Sequence, residues 1–339
     1  LVTVHDVARA AGVSISTVSR ALAMPERVAE STRTRVVLAA QELGYRPNSA
    51  ASRLRAGRTG AVGFVVPDLE NPYFASLTKG AQARARACGY AVLVADTGED
   101  PELEVELVTG MGPQIDGLVL CSPRAAERDL DAVGAVPLVL VNRELGVRPS
   151  VTANDVSGMR QAVEHLRALG HRCVAYVGGP ARSWSDARRR AGLDQAVREL
   201  PDVRAVQLGA FRPHVAGGHA AADLVVASGA TAVVAYNDLV AIGLIERLRA
   251  RGLDVPRDLS VVGWDDTFVA TLASPELTSV GADLPALGAV ATDVVLESVR
   301  RSRRSGAGAA DAAGADGESG GQVRVPVELV VRASTGIAP

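Results

Sequence analysis

The sequence predicts a small all-helical head joined to a larger α/β body built from two parallel-sheet subdomains. Three observations carry this reading. The first sixty residues show only helical periodicity. From Ala61 onward, short continuous apolar runs alternate with helical stretches, the pattern of parallel strands covered on both faces. That alternation restarts at Cys173, so two series stand in tandem. At 339 residues the chain is also too long for one compact core and implies two or three domains.

Composition narrows the class further. Hydrophobic residues make up 47% of the chain and aromatics only 3%, so Ala, Val and Leu must supply the interior. No apolar run reaches the roughly 18 residues of a membrane span, and the charged first thirty residues do not read as a signal peptide. Cys88, Cys121 and Cys173 are odd in number and widely spaced, so no disulfide framework and no metal pattern is legible. A cytoplasmic protein is expected. The net charge of −2 hides an asymmetry: residues 1–60 carry +5 and the remainder −7. A basic head on an acidic body implies a polyanionic partner for the head.

In the head, Thr3 is placed to cap a helix with Asp6 three residues on, as in a capping box, and Val4, Val7, Ala8 and Ala11 form its apolar face. Gly12 ends it, and the stretch "GVSISTVSRAL" follows so closely that only a tight helix-turn-helix fits. This second helix is unusual. Ser14, Ser16, Thr17 and Ser19 disfavour helix interiors because their hydroxyls compete for backbone groups. A third helix is expected over about 31–43, with Val36, Val37, Ala40 and Leu43 inward and Gly44 at its end. "RPN" (46–48) breaks the chain before a short helical segment stopped by Gly57.

In the body, strands are expected at 61–66, 91–95, 116–121 and 137–141, then at 173–178, 203–208, 231–236 and 259–263. A helix over 285–304 and a last strand, "VRVPVELVV", flank the low-complexity stretch 305–322, which reads as a flexible insertion. Two such sheets imply a cleft at their strands' carboxyl ends, where open α/β sheets bind small molecules.

These residues together resemble the LacI/GalR family of transcriptional regulators. "TVHDVARAAGVSISTVSRAL" is similar to the family's helix-turn-helix, and "LGYRPNSAASRLRAGRTGAVGFVVPDLENPYF" to its hinge and first strand. "NDVSGMRQAVEHLRALGHRCVAYVGG", "YNDLVAIG", "LSVVGWDD", "PELTSV" and "PVELVVRASTG" follow in the family's order. The resemblance implies a helix-turn-helix head over 1–46, a hinge helix and linker over 47–60, and a periplasmic-binding-protein-like effector-binding and dimerisation body over 61–339.

It also explains the hydroxyl-rich helix, which in this family enters the DNA major groove. Short side chains let the backbone approach, and hydroxyls donate to phosphates. Ile15, Ser16 and Arg20 would face base edges, Arg20 being suited to guanine. Thr3, Ser14, Thr17, Ser19, Thr32 and Tyr45 would hold phosphates, although each hydroxyl could equally make a local capping bond. In the hinge, Asn48 and Ala51 accompany Leu54, the residue implied to wedge into the minor groove between paired hinge helices.

For the cleft, the resemblance places Tyr73, Phe74, Arg189, Phe211, Asn237 and Asp265 around the effector. A carboxylate, a guanidinium and an amide orient hydroxyls or ring nitrogens while aromatics cover an apolar face. That suits a sugar or a nucleoside-like ligand; Trp184 either lines the pocket or packs in the core. The function implied is a sequence-specific repressor, a homodimer on double-stranded operator DNA, controlled by a small molecule. No cofactor is expected, and no metal. The sequence contains no G-x-S-x-G, P-loop or H-E-x-x-H that would point to an enzyme. A periplasmic-type sugar-binding protein would share the body but not the basic helical head.

Overall fold

The structure is a computed structural model that describes residues 2–45, 58–130, 134, 136–307 and 321–339. Asn48, Ala51 and Leu54 of the expected hinge therefore lie outside the described residues, as do 308–320 of the expected insertion. The chain forms two compact units, Leu1–Thr59 and Gly60–Pro339.

In the first unit, α1 (Val4–Ala11), α2 (Ile15–Ala23) and α3 (Glu30–Glu42) surround one small core. The Asp6 carboxylate accepts from both the backbone N–H and the hydroxyl of Thr3, which fixes the start of α1. Gly12 adopts φ 64°, the left-handed conformation that turns the chain toward α2. Val7, Val18 and Val36 are fully buried, one from each helix. The expectation for α3 needs one correction. Leu43 is exposed and Val37 only half-buried, while Ala39 and Ala40 complete the interior. The helix ends at Glu42, so Leu43 no longer follows the helical phase that would bury it.

In the second unit the first lobe draws on β1 (Ala61–Val66), α4 (Pro72–Ala87), β2 (Ala91–Asp96), α5 (Pro101–Met111), β3 (Gly117–Cys121), α6 (Glu127–Leu130), β4 (Leu138–Val141) and β5 (Ser150–Ala153). The second lobe continues with α7 (Asp155–Ala168), β6 (Cys173–Gly178), α8 (Trp184–Glu199), β7 (Arg204–Ala210), α9 (Val215–Ala227), β8 (Ala232–Ala235), α10 (Asp238–Ala250), β9 (Ser260–Asp265), α11 (Phe268–Leu272) and β10 (Thr278–Gly281). Then α12 (Leu284–Ala307) and β11 (Gln322–Val325) return to the first lobe, and β12 (Glu328–Val330) to the second. The sheet orders are β11-β5-β4-β3-β1-β2 and β12-β10-β9-β8-β6-β7. All pairings are parallel except β10 with β12.

The central strands β1, β3, β4, β6, β8 and β9 are buried along their whole length, as continuous apolar runs require. The edge strands β2 and β7 are largely open, so burial on both faces does not extend to them. The expected single last strand is in fact two. Pro326, which has no N–H for a ladder, separates β11 from β12 and lets the chain pass between sheets. The expected insertion is also shorter at its ends, since α12 runs to Ala307 and β11 begins at Gln322. Among the described residues no helix is long and apolar enough to cross a membrane.

The helices α4 and α12 lie so close that a side chain on Gly80 would strike the Pro285 backbone, and one on Gly288 the Leu77 carbonyl. Gly288→Val should therefore force the pair apart and destabilise the unit by about 1–3 kcal/mol, the usual cost of overpacking. A melting curve checks this; an unchanged midpoint would refute the close approach.

Candidate functional site

The carboxyl ends of the strands face a cleft between the two lobes. Non-glycine residues in the left-handed region gather there: Glu99 (φ 64°) beyond β2, Ser122 (46°) beyond β3, Asn142 (55°) beyond β4, and Asp265 and Asp266 (100° and 46°) at the end of β9. Such conformations are costly for side chains with a Cβ and concentrate at binding sites. The cleft has two parts, an outer vestibule of about 1150 Å³ and an inner chamber of about 20 Å³, the room of roughly one water.

At the inner end stands Arg189, in the second turn of α8, with its side chain 7% exposed. Its Nε donates to Asp155 Oδ1 at 2.9 Å, its Nη1 donates to the Tyr236 carbonyl, and Asp265 Oδ1 lies 3.8 Å from Nη2. The guanidinium also lies 4.9 Å from the Tyr236 ring centroid and 4.3 Å from that of Trp264. Burial disfavours its charge, but Asp155 and Asp265 outweigh burial and hold it well above the ordinary arginine range. Burial in turn pushes the Asp265 carboxyl well up, against the pull of Arg189 and with the neighbouring Asp238 adding to the rise. Asp155 is raised by burial in the same way. The neighbouring arginines are otherwise engaged: Arg188 stacks on Trp184, and Arg190 pairs with Asp186 at 2.6 Å.

The first lobe supplies the opposite wall. Asn142 Nδ2 donates to Tyr73 Oη at 2.7 Å and to Ser122 Oγ at 3.1 Å, so the phenol is held at the chamber. Asn71 caps α4 and positions Tyr73 and Phe74 in its first turn, with the two rings edge to face at 5.0 Å. Arg124 binds Glu99 through both Nε (2.5 Å) and Nη2 (3.0 Å), while its Nη1 donates to the Ser122 carbonyl. This pair borders both the chamber and the vestibule.

Tyr73, Phe74, Arg189 and Asp265 are thus brought together around one chamber. Phe211 lines the vestibule instead. The Asn237 side chain is committed elsewhere: its Oδ1 caps α10 by accepting from Val240 N–H, and its Nδ2 donates to the Pro213 carbonyl. Trp184 lines neither cavity. Sequence reasoning missed Asp155, Tyr236, Trp264 and the Glu99–Arg124 pair. A signal for Asp155 existed, because Asn154 serves as the cap of α7 and leaves the adjoining carboxylate without that role.

In the head, Ile15, Ser16, Ser19 and Arg20 form one exposed face of α2, opposite the buried Val18 and Ala21. Ser14 caps α2 by accepting from Thr17 N–H, and its Oγ lies 2.9 Å from the hydroxyls of Ser16 and Thr17. Arg20 Nε donates to the Ser16 carbonyl. Thr3 is exposed, Thr32 half-buried, and Tyr45 packs partly against the core.

Residues 3–48 match the family described as bacterial regulatory proteins, lacI family, and residues 163–335 match a periplasmic binding protein-like domain. Over 98% of its length, and 98% of the relative's, the chain is 31% identical to the HTH-type transcriptional regulator DegA of Bacillus subtilis (strain 168). The chain belongs to the lacI family. It is a DNA-binding transcriptional regulator. Among solved structures, the lac repressor dimer bound to operator and the anti-inducer ONPF matches with a TM-score of 0.83 and 26% identity, over 99% of each chain. The transcriptional regulator CelR in complex with cellobiose matches with a TM-score of 0.70 and 27% identity, over 98% of this chain and 100% of that one. As in other lacI-family proteins, a helix-turn-helix head precedes two parallel-sheet lobes.

Proposed function

We propose that this lacI-family member is a cytoplasmic repressor, a homodimer on a near-palindromic operator, whose DNA affinity is set by a sugar bound between the lobes. The observation that carries the reading is Arg189, a fully paired guanidinium flanked by carboxylates and rings at the closed end of a cleft. Charged donors and acceptors held rigidly against aromatic faces suit a polyhydroxylated ring. In this reading residues 1–46 contact DNA, 47–60 connect, and 61–339 bind the effector and dimerise. Tyr73, Phe74, Arg189 and Asp265 hold the effector and Phe211 covers it, while Asn237 acts indirectly by fixing α10. The protein has no catalytic role. Its effector acts only through differential affinity for two states of the body.

On the DNA side, Ile15, Ser16 and Arg20 read bases. Thr3, Ser14, Thr17, Ser19, Thr32 and Tyr45 hold phosphates, and Leu54 wedges at the operator centre with Asn48 and Ala51 beside it. Two basic heads on one operator should make binding fall about a thousandfold between 50 and 200 mM salt. Arg20→Ala should weaken operator binding about tenfold or more while changing binding to random DNA far less. Fluorescence anisotropy on operator and random duplexes, with and without a panel of sugars, tests the whole reading. Salt-insensitive binding, or equal loss on both duplexes, would sink the DNA assignment. A DNA affinity that no sugar changes would sink the effector assignment.

A further inference from the structure

The outer vestibule is far larger than the chamber that Arg189 closes, and its walls differ in chemistry. At about 1150 Å³ it exceeds the roughly 300–1000 Å³ typical of small-ligand pockets. The first lobe lines it with carboxylates, from Asp68, Glu70, Asp96 and Glu99. The second lobe lines it with donors, from Arg182, Arg212 and His214, and with the ring of Phe211. Asp68 is 8% exposed, yet its Oδ2 has no hydrogen-bond partner and faces this space, 3.6 Å from His214 Nδ1. A buried acceptor without a donor normally finds one from a ligand or water.

We propose that the vestibule is a second subsite, which takes a further neutral, polyhydroxylated ring of an effector of two or more sugar units. The inference rests on the sugar reading above and extends it. A phosphate or carboxylate would satisfy the arginine wall but face four carboxylates. A cation would meet the reverse. A hydroxyl donates to one wall while accepting from the other, and a sugar's C–H face covers Phe211. Glu99, held by Arg124 in a bidentate grip, sits where the two cavities join and would read the hydroxyls nearest the linkage between rings.

Calorimetric titration of the full chain with cellobiose, maltose, lactose, trehalose and xylobiose, alongside glucose, galactose, xylose and glucose 6-phosphate, tests this. At least one disaccharide should bind tenfold or more tighter than each of its component monosaccharides. Arg212→Ala, at an exposed position, and Asp68→Asn should bring that ratio toward one, with melting curves confirming that both variants fold. A monosaccharide that binds as tightly as every disaccharide containing it would overturn the proposal. So would tighter binding of glucose 6-phosphate than of any neutral sugar, or a ratio unchanged in both variants. If no sugar binds at all, the sugar reading itself falls and takes the subsite with it, an outcome distinct from equal binding of one ring and two.

Discussion

Arg189→Ala is expected to destabilise the second unit by about 3–5 kcal/mol, the usual cost of breaking a buried ion pair from one side. The loss comes less from the missing hydrogen bonds than from what remains. Asp155, 2% exposed at its side chain, and Asp265, at 8%, would be left with no guanidinium between them. Both carboxyls are already pushed up by burial, so in the variant they would take up protons rather than stay charged. A carboxyl whose folded pKa exceeds its unfolded value stabilises the fold below the unfolded value and loses that contribution as pH rises. The defect should therefore be milder at pH 5 than at pH 8. Arg189→Lys keeps the charge without the fork and should fall between the two. Thermal melts at both pH values check this, and an Arg189→Ala midpoint equal to the wild type would refute the pairing. The effector response of such a variant is interpretable only where the protein remains folded.

How much of this was legible in the sequence depends on how local each cause is. The central strands were readable because strands buried on both faces have no polar positions to break the run. β5 and β10 were not, because "SVTA" and "TSVG" are short and carry Ser150, Thr152, Thr278 and Ser279, all buried. Their hydroxyls are tolerated through long-range partners, as when Ser279 donates to Asp238 and Thr278 Oγ1 to the Arg332 carbonyl. No window of sequence shows such a partner. The capping of α1 was legible because its two residues are three apart. In "DARRRAG", register alone could name Arg189, but Asp155, Tyr236 and Trp264 come from three other elements, and only the fold brings them to it.

A second large effect concerns Asp238, the first residue of α10. Its carboxylate accepts from Ser279 Oγ (2.6 Å), Thr267 N–H (2.8 Å) and Thr267 Oγ1 (3.0 Å). Burial nevertheless pushes the group up to about 7 from 3.8, outweighing those three donors. The folded value lies above the unfolded one, so its contribution to stability is complete below about pH 4 and is lost as pH rises to about 7. Lowering the pH from 7.5 to 5 should thus stabilise the wild type relative to Asp238→Asn by roughly 2–3 kcal/mol. Comparison with the variant is essential, because burial lowers His165 and His171, whose charging opposes folding as pH falls. Denaturation curves of both proteins at the two pH values decide the matter, and a constant difference would show that Asp238 does not titrate there.

The return of the chain's end to the first lobe bears on how the protein can be synthesised. The interior beneath β1, β3 and β4 is closed by Leu284, Leu287, Ala291 and Val295 of α12, and β5 gains its outer neighbour only from β11. Residues 61–153 therefore emerge from the ribosome well before the segments that cover them. Until about residue 325 has been made, an apolar face and an unpaired strand edge stay open to other nascent chains, the condition under which large β-containing proteins aggregate. The second lobe, whose sheet lacks only the short strand β12 when Gly281 is reached, completes most of its structure first. Folding thus runs against the order of translation, and a chain cut anywhere before α12 leaves the ribosome with its earlier half still unfinished.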